Sequence, residues 1–419
     1  MKDEQGPVGI VLAGGGARGA YEAGALSVIM PWLAERGEPA RVLVWTSAGA
    51  LNAILFAPVS VADDVAGAAE KALEVWRGLR RGEVFRPLLA TEPANVIRYL
   101  ASVVGLSGLL PSTFGASGVT SVLDVTPLGS LVKDVPDWAG LHAAIEAGDL
   151  SAVAVVATSM SNHRTDVFYE AGPGASRPKD DPVRAVRYSP CRLRAAHALA
   201  SAAIPVAFPP VRIKQDWYLD GGVRLNSPIK PAISLGAGRL VVMATHPVQE
   251  HAWPAPASHP AVHDTAAAEG TQGSNDLGNT PAAPDVVTAA ASVLHSVLVD
   301  RMVEDIRTLG RVNDFILSGA DVPGYRAVPY VAVAPDVPGR VSALAARVLR
   351  ERYAGARGLF GGDFTMLNRL LGGNPAAHGE IFSFLLFDEE FISDLIDLGA
   401  ADARAAIAAA GENPWELPG

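Results

Sequence analysis

Hydrophobic positions fall into two kinds of run along this chain. Short, unbroken apolar runs alternate with longer stretches in which apolar residues recur every three or four positions. The unbroken runs predict strands buried on both faces, as in a parallel sheet, and the periodic stretches predict helices that cross back over it. Val8 to Ala13 and Arg41 to Trp45 are the first two such strands; Leu150 to Thr158, Leu240 to Thr245 and Tyr330 to Ala334 follow. Thr165 to Glu170 reads as an antiparallel partner of the third, and Trp217 to Leu219 as a short strand. Helices are predicted at Ala48 to Phe56, Leu141 to Ala147 and Val341 to Tyr353, and through Val293, Val297, Met302, Ile306 and Leu309. Another runs from Asp63 to Leu79, with Val65, Ala69, Ala72, Leu73 and Trp76 at helical spacing and Asp63 as its cap. His197 to Ala203 is a helical turn stopped by Ile204-Pro205, since a residue before proline avoids the helical region. The pattern predicts a three-layer α/β/α sandwich around a central, mostly parallel sheet.

Three segments depart from it. Asn95 to Gly118 is apolar, poor in charge and loosened by glycine and serine, which suits a buried helical hairpin as well as, were the protein lipase-like, a lid or acyl-chain entrance. His246 to Pro284 turns to Pro, Ala, Gly, Ser, Asn and His without apolar periodicity and reads as a mobile insertion. Its histidines His246, His251, His259 and His263 match no zinc spacing, so no metal site is expected. The C-terminal pair of helices, broken near Phe387-Asp388, carries Ile381, Phe384, Leu385, Phe391, Ile392, Leu395 and Ile396. A core-packing stripe is the more usual meaning of that pattern than a membrane-facing surface. The expected organisation is a core over 1–245, an insertion over 246–284, and the remainder of the core with a helical C-terminal region over 285–419.

Composition narrows the function. A hydrophobic fraction of 49% is ample for a large core. The net charge of -10 opposes a nucleic-acid partner and a purely electrostatic attachment to anionic lipid. The one cysteine, Cys191, permits no intramolecular disulfide and reads as a small buried side chain. The charged start MKDEQGPV has no apolar signal region, and no run reaches the ~18 apolar residues of a spanning helix. A cytoplasmic protein is expected, with signal-independent export left open.

Two glycine-punctuated turns hold the candidate chemistry. GGGARG at Gly14 to Gly19 follows the first strand, and TSAGA at Thr46 to Ala50 follows the second. Parallel strands joined by a right-handed crossover open their C-terminal loops side by side. Ser47, flanked by the small Ala48 and Gly49, would then face the backbone N–H groups of Gly15, Gly16 and Ala17, a nucleophile beside an oxyanion site. Gly14, Gly16 and Gly19 also satisfy the G-x-G-x-x-G of dinucleotide-binding enzymes. The acidic residue which that reading needs at the end of the second strand is replaced by Trp45-Thr46-Ser47.

Further phrases join these two turns: LDVTPL at Leu123 to Leu128, ASAAIPVAFPPV at Ala200 to Val211, YLDGGVRLNSP at Tyr218 to Pro228, and FSFLLFDEEFISDLIDLG at Phe382 to Gly399. In kind and order they resemble the patatin-like phospholipase family of bacterial type. The resemblance implies a lipid acyl hydrolase with Ser47 as nucleophile and Asp220 as base, a dyad that works without histidine. It implies an oxyanion and substrate loop over Gly14, Gly15, Gly16, Ala17, Arg18 and Gly19, with Arg18 fixing the loop or attracting a lipid phosphate. Trp45, Thr46, Ala48 and Gly49 would support the serine turn. The substrate would be lipid at a membrane or micelle surface, with no metal or organic cofactor and no calcium requirement. An ordinary aspartate, of pKa near ~3.9, is a poor base at neutral pH, so the site must raise it. One departure is plain: where the family's G-x-S-x-G has its first glycine, this chain has Trp45, whose indole needs a wider gap or must face the pocket. That opens the alternative of a catalytically impaired lipid-binding or scaffolding protein. A Ser-Asp-His triad using His246 is a further alternative.

Overall fold

The computed structural model of the chain describes residues 6–87, 123–205, 207–248, 301–319, 324–353 and 382–417. The segment read as a lid, nearly all of the insertion, and Val293, Val297 and Ile381 lie outside the described residues.

Among the described residues nine strands form the main sheet: β1 (Val8–Leu12), β2 (Ala40–Thr46), β3 (Ala152–Ser159), β4 (Thr165–Ala171), β5 (Val186–Pro190), β6 (Val211–Ile213), β7 (Asp216–Asp220), β8 (Arg239–Met243) and β9 (Tyr330–Val333). Their order is β9-β8-β1-β2-β3-β4-β5. The five strands from β9 to β3 are parallel; β4 pairs antiparallel with β3, and β5 parallel with β4. The hairpin of β6 and β7 joins the sheet through β7, antiparallel to β3.

The helices of six or more residues among the described residues are α1 (Gly19–Glu35), α2 (Gly49–Phe56), α3 (Val65–Gly78), α4 (Thr126–Asp134), α5 (Trp138–Ala147), α6 (Ala195–Ser201), α7 (Ile229–Ser234), α8 (Arg301–Leu317), α9 (Arg340–Tyr353) and α10 (Glu389–Ala410). Alternate strand residues serve the two helical layers. Ile10, Leu12, Leu43, Trp45, Val153 and Val155 pack with α1, α2, α3, α9 and α10. Val11, Val42, Val44, Ala154 and Val156 pack with α7 and α8 on the other face. Because both faces are covered, these strands read as continuous apolar runs. Each fully buried Leu, Ile or Val among them contributes about 1.5–3 kcal/mol relative to exposure.

Helices α1 and α10 touch backbone to backbone. A Cβ on Gly24 would fall 2.1 Å from the Ile396 carbonyl oxygen, and one on Gly399 would fall 1.9 Å from that of Tyr21. Phe391, Ile392, Leu395 and Ile396 are buried in this contact, so the C-terminal stripe is core and not a membrane-facing surface. No helix among the described residues is long and apolar enough to cross a membrane. The pattern missed β5, β6, α4 and α7, which are short and carry polar or turn-forming residues. It also placed one cap a residue early: Asp64, not Asp63, accepts the Gly67 N–H at the start of α3, at 2.9 Å.

Candidate active site

The two residues singled out for chemistry lie 173 positions apart, and sheet register brings them together. One edge of β3 is paired with β4 along residues 152–158. The other edge takes β2 as far as Thr46 opposite Val156, and then β7, whose Asp220 stands opposite Ala157. Two strands running in opposite directions thus end head to head on the same edge, and Ser47 follows one as Asp220 ends the other.

Ser47 holds φ = 58°, a left-handed value that costs a non-glycine residue on the order of 1–3 kcal/mol and aims the side chain off the end of the strand. Its surroundings hold it there. The Ser47 N–H donates to Ser201 Oγ at 2.9 Å, and Ser201 Oγ–H donates to the Val156 carbonyl at 2.6 Å. Thr46 Oγ1 donates to the Leu225 carbonyl at 3.2 Å, while the Ser47 carbonyl accepts the Ala50 N–H at 2.8 Å and begins α2. Ser47 Oγ donates to Asp220 Oδ2 at 2.5 Å. The second carboxylate oxygen accepts the Gly222 N–H at 2.7 Å. Asp220 is wholly buried, and loss of water lifts its pKa to about 7, against the opposing pull of these two hydrogen bonds.

The glycine loop lies against this pair. A Cβ on Gly14 would fall 2.4 Å from the Ser47 Cβ, so only glycine fits, and the Gly14 N–H donates to Asn226 Oδ1 at 2.9 Å. Gly16 takes φ = 57°, with the Phe384 carbonyl oxygen 2.1 Å from where a Cβ would stand. The amide groups of Gly15 and Gly16 find no acceptor among the described residues, leaving two donors at the start of the short 3-10 turn Gly16–Arg18 that leads into α1.

Arg18 is neither a surface arginine nor open to solvent. It is fully buried, donates from Nε and Nη2 to Ser383 Oγ at 2.8 and 2.6 Å, and lies 4.0 Å over the Phe384 ring. It therefore fastens the glycine loop to the segment before α10. His246 Nε2 stands 3.5 Å from Arg18 Nη1, while the Ser47 hydroxyl is engaged by Asp220. Trp45 is also fully buried; its indole packs in the layer of α1, α2 and α3, away from the lining of the pocket beside Ser47, and the left-handed turn forms with it in place. Gly49 opens α2 against Leu12 and Trp45, and Ala48 stands at the pocket wall.

Beneath the turn, Asn52 of α2 donates to the Gly19 carbonyl at 2.8 Å and to Glu22 Oε2 at 3.2 Å, and accepts from Trp76 Nε1 at 2.7 Å. Burial holds the Glu22 carboxyl well above the usual carboxylate range, against the opposing hydrogen bonds from Asn52 and the Ala13 N–H. Ser201, Asn226, Ser383, Glu22 and Asn52 had no assigned part in the sequence reading. The first three stand inside phrases already noticed there, ASAAIP, LDGGVRLNSP and FSFLLF, which is the signal that pointed to them. An apolar pocket of about 40 Å³ opens beside Ser47 and Gly16, walled by Leu51, Trp76, Leu131, Leu199, Phe208 and Phe387.

Fold and site together define an α/β protein with a strained serine turn, a buried aspartate and a glycine loop at one end of a parallel sheet. A family model described as patatin-like phospholipase matches residues 10–233, more than half of the chain, and the chain belongs to that family of lipid hydrolases. The match takes in the glycine loop, the serine turn and Asp220. Among solved structures, that of VipD from Legionella pneumophila matches at 13% identity over 94% of this chain and 67% of that one, with a TM-score of 0.30. No curated protein matches the chain.

Proposed function

We propose that this protein hydrolyses acyl esters of lipids by a Ser47–Asp220 dyad. The observation that carries the reading is the 2.5 Å contact between Ser47 Oγ and a fully buried Asp220 carboxylate whose pKa is lifted to about 7. At that value the aspartate is matched to proton transfer at neutral pH. Ser47 Oγ attacks the ester carbonyl as Asp220 takes its proton. The oxyanion receives the N–H groups of Gly15 and Gly16, each such donor being worth about 2.7–4 kcal/mol in the transition state. Asp220 returns the proton to the leaving alcohol, then activates a water that clears the acyl-enzyme. The apolar pocket beside Ser47 takes the start of the acyl chain. Trp45 gives no support to an impaired site, because the turn keeps its left-handed backbone around it.

The test is release of p-nitrophenol from a short-chain ester by the wild type and three variants. Asp220→Asn is expected to lose roughly 100- to 10,000-fold in turnover, the usual share of a general base, and Ser47→Ala at least as much, while His246→Ala keeps most of it. A folded wild type silent on this ester and on mixed phospholipid vesicles would end the proposal, and loss in His246→Ala alone would replace the dyad by a triad.

A further inference from the structure

Asp220 stands at the foot of a hairpin whose outer end has no part in the chemistry. β6 and β7 pair Arg212 with Trp217 and Ile213 with Asp216, and β7 pairs Tyr218 with Ser159 at the end of β3. The next amide, that of Met160, donates to the Trp217 carbonyl at 2.9 Å. Arg212 and Trp217 therefore stand side by side on one face of the hairpin, with Met160, the residue after β3, hydrogen-bonded beside them. All three are exposed, Met160 at 42% and Trp217 at 47%. The neighbouring Tyr218 points the other way and is buried against Phe168.

The charge around these residues is positive although the chain carries -10 overall. Lys214 forms the exposed tip, Arg194 is exposed just before α6, and both cations disfavour the protonated form of His197. The acid at the tip, Asp216, is half-buried and tied to its neighbours: its carboxylate accepts from the hydroxyls of Ser159 and Ser161 and the Trp217 N–H.

Because β7 runs antiparallel to β3, the hairpin projects past the C-terminal ends of the parallel strands, the edge at which Ser47 and the glycine loop open. Trp217 stands three residues beyond Asp220, about 10 Å at the rise of a strand. An exposed indole and thioether ringed by cations fit the headgroup layer of a bilayer, where indoles settle and each nearby Lys or Arg adds about a fivefold gain in binding on an anionic surface.

We propose that the β6–β7 hairpin seats the protein on an anionic lipid surface, with Trp217 and Met160 at headgroup depth and Arg212, Lys214 and Arg194 against lipid phosphates. This rests on the reading of the substrate as lipid, and it assigns the face from which that lipid reaches Ser47.

The experiment is co-sedimentation of the full chain carrying Ser47→Ala, which leaves lipid intact, with phosphatidylcholine vesicles and with equimolar phosphatidylcholine–phosphatidylserine vesicles. Stronger binding to the mixed vesicles is expected. Adding Trp217→Ala should weaken binding to both. Adding Arg212→Gln with Lys214→Gln should weaken binding to the mixed vesicles alone, roughly thirtyfold. With Ser47 restored, the same hairpin substitutions should leave turnover of a soluble ester unchanged. Absence of vesicle binding, or binding indifferent to all three hairpin substitutions, overturns the proposal. So does a concentration-dependent dimer that Trp217→Ala abolishes without any vesicle binding. Hairpin-dependent binding by a chain silent on every ester would reject the hydrolase reading and keep the docking face, whereas ester turnover without such binding would do the reverse.

Discussion

An aspartate that is to take a proton from a serine must be a stronger base than aspartate in water, and Asp220 becomes one by losing its water. Its pKa of about 7 has two consequences of opposite sign. The proposed dyad needs the carboxylate, so kcat/KM for a soluble ester is expected to rise with pH through about 7 and to fall about tenfold per unit below it. Stability goes the other way. The folded-state pKa lies above the unfolded value, so the folded chain holds the proton between about pH 4 and 7. That contribution is complete below the unfolded pKa and is lost as pH rises through 7, at a cost on the order of 4 kcal/mol. Asp220→Asn can still accept from Gly222 and face Ser47 without carrying a charge. Calorimetry should find it melting above the wild type at about pH 8, with the gap closing toward pH 4; equal melting at both would show that the buried charge is not a burden. Ser201 acts one hydrogen bond further out. Ser201→Ala leaves the Ser47 N–H without an acceptor, a loss of about 1–3 kcal/mol. In steady-state kinetics this should appear as a roughly ten- to hundredfold fall in kcat with KM little changed, and Ser201→Thr, which keeps the hydroxyl, should recover it. An unchanged kcat would remove Ser201 from the positioning of the nucleophile.

At the scale of elements, the unit to explain is β2, its turn and α2. The family pattern has glycine before the serine, where a helix packs closely on its strand. Here the indole of Trp45 is part of that packing, wholly buried among the helices of one layer. Trp45→Gly would match the family pattern but would empty a large volume beneath the turn, with a cost of about 3–5 kcal/mol or more. It is expected to lower the unfolding free energy found by urea titration by that amount and to slow ester turnover. A Trp45→Gly protein as stable as the wild type and faster would show that the tryptophan strains the turn. The element that sets the glycine loop is likewise not its neighbour in sequence: Ser383 and Phe384, just before α10, hold Arg18 from outside the segment matched by the family model.

For the whole molecule, this makes the C-terminal region a part of the core. Phe382, Phe391, Ile392, Leu395 and Ile396 are all buried, and their burial, about 8–15 kcal/mol together, is as large as the stability of a typical domain. A chain ended before Phe382 is expected to have no cooperative unfolding transition by circular dichroism; a truncated chain that unfolds cooperatively would show that α1 finds another cover. The sequence by itself determined the layered α/β class, the five parallel strands and the two turns, because burial on both faces and the need for glycine leave their mark residue by residue. It also held Ser47 and Asp220 in legible motifs. Only the tertiary structure decided that these two meet, since their contact depends on where β2 stops along β3 and where β7 takes over. It alone buried Arg18, turned Trp45 into the core, moved a cap from Asp63 to Asp64, and raised the basicity of Asp220. Each of these follows from which distant side chains exclude water, and a linear pattern carries no record of that.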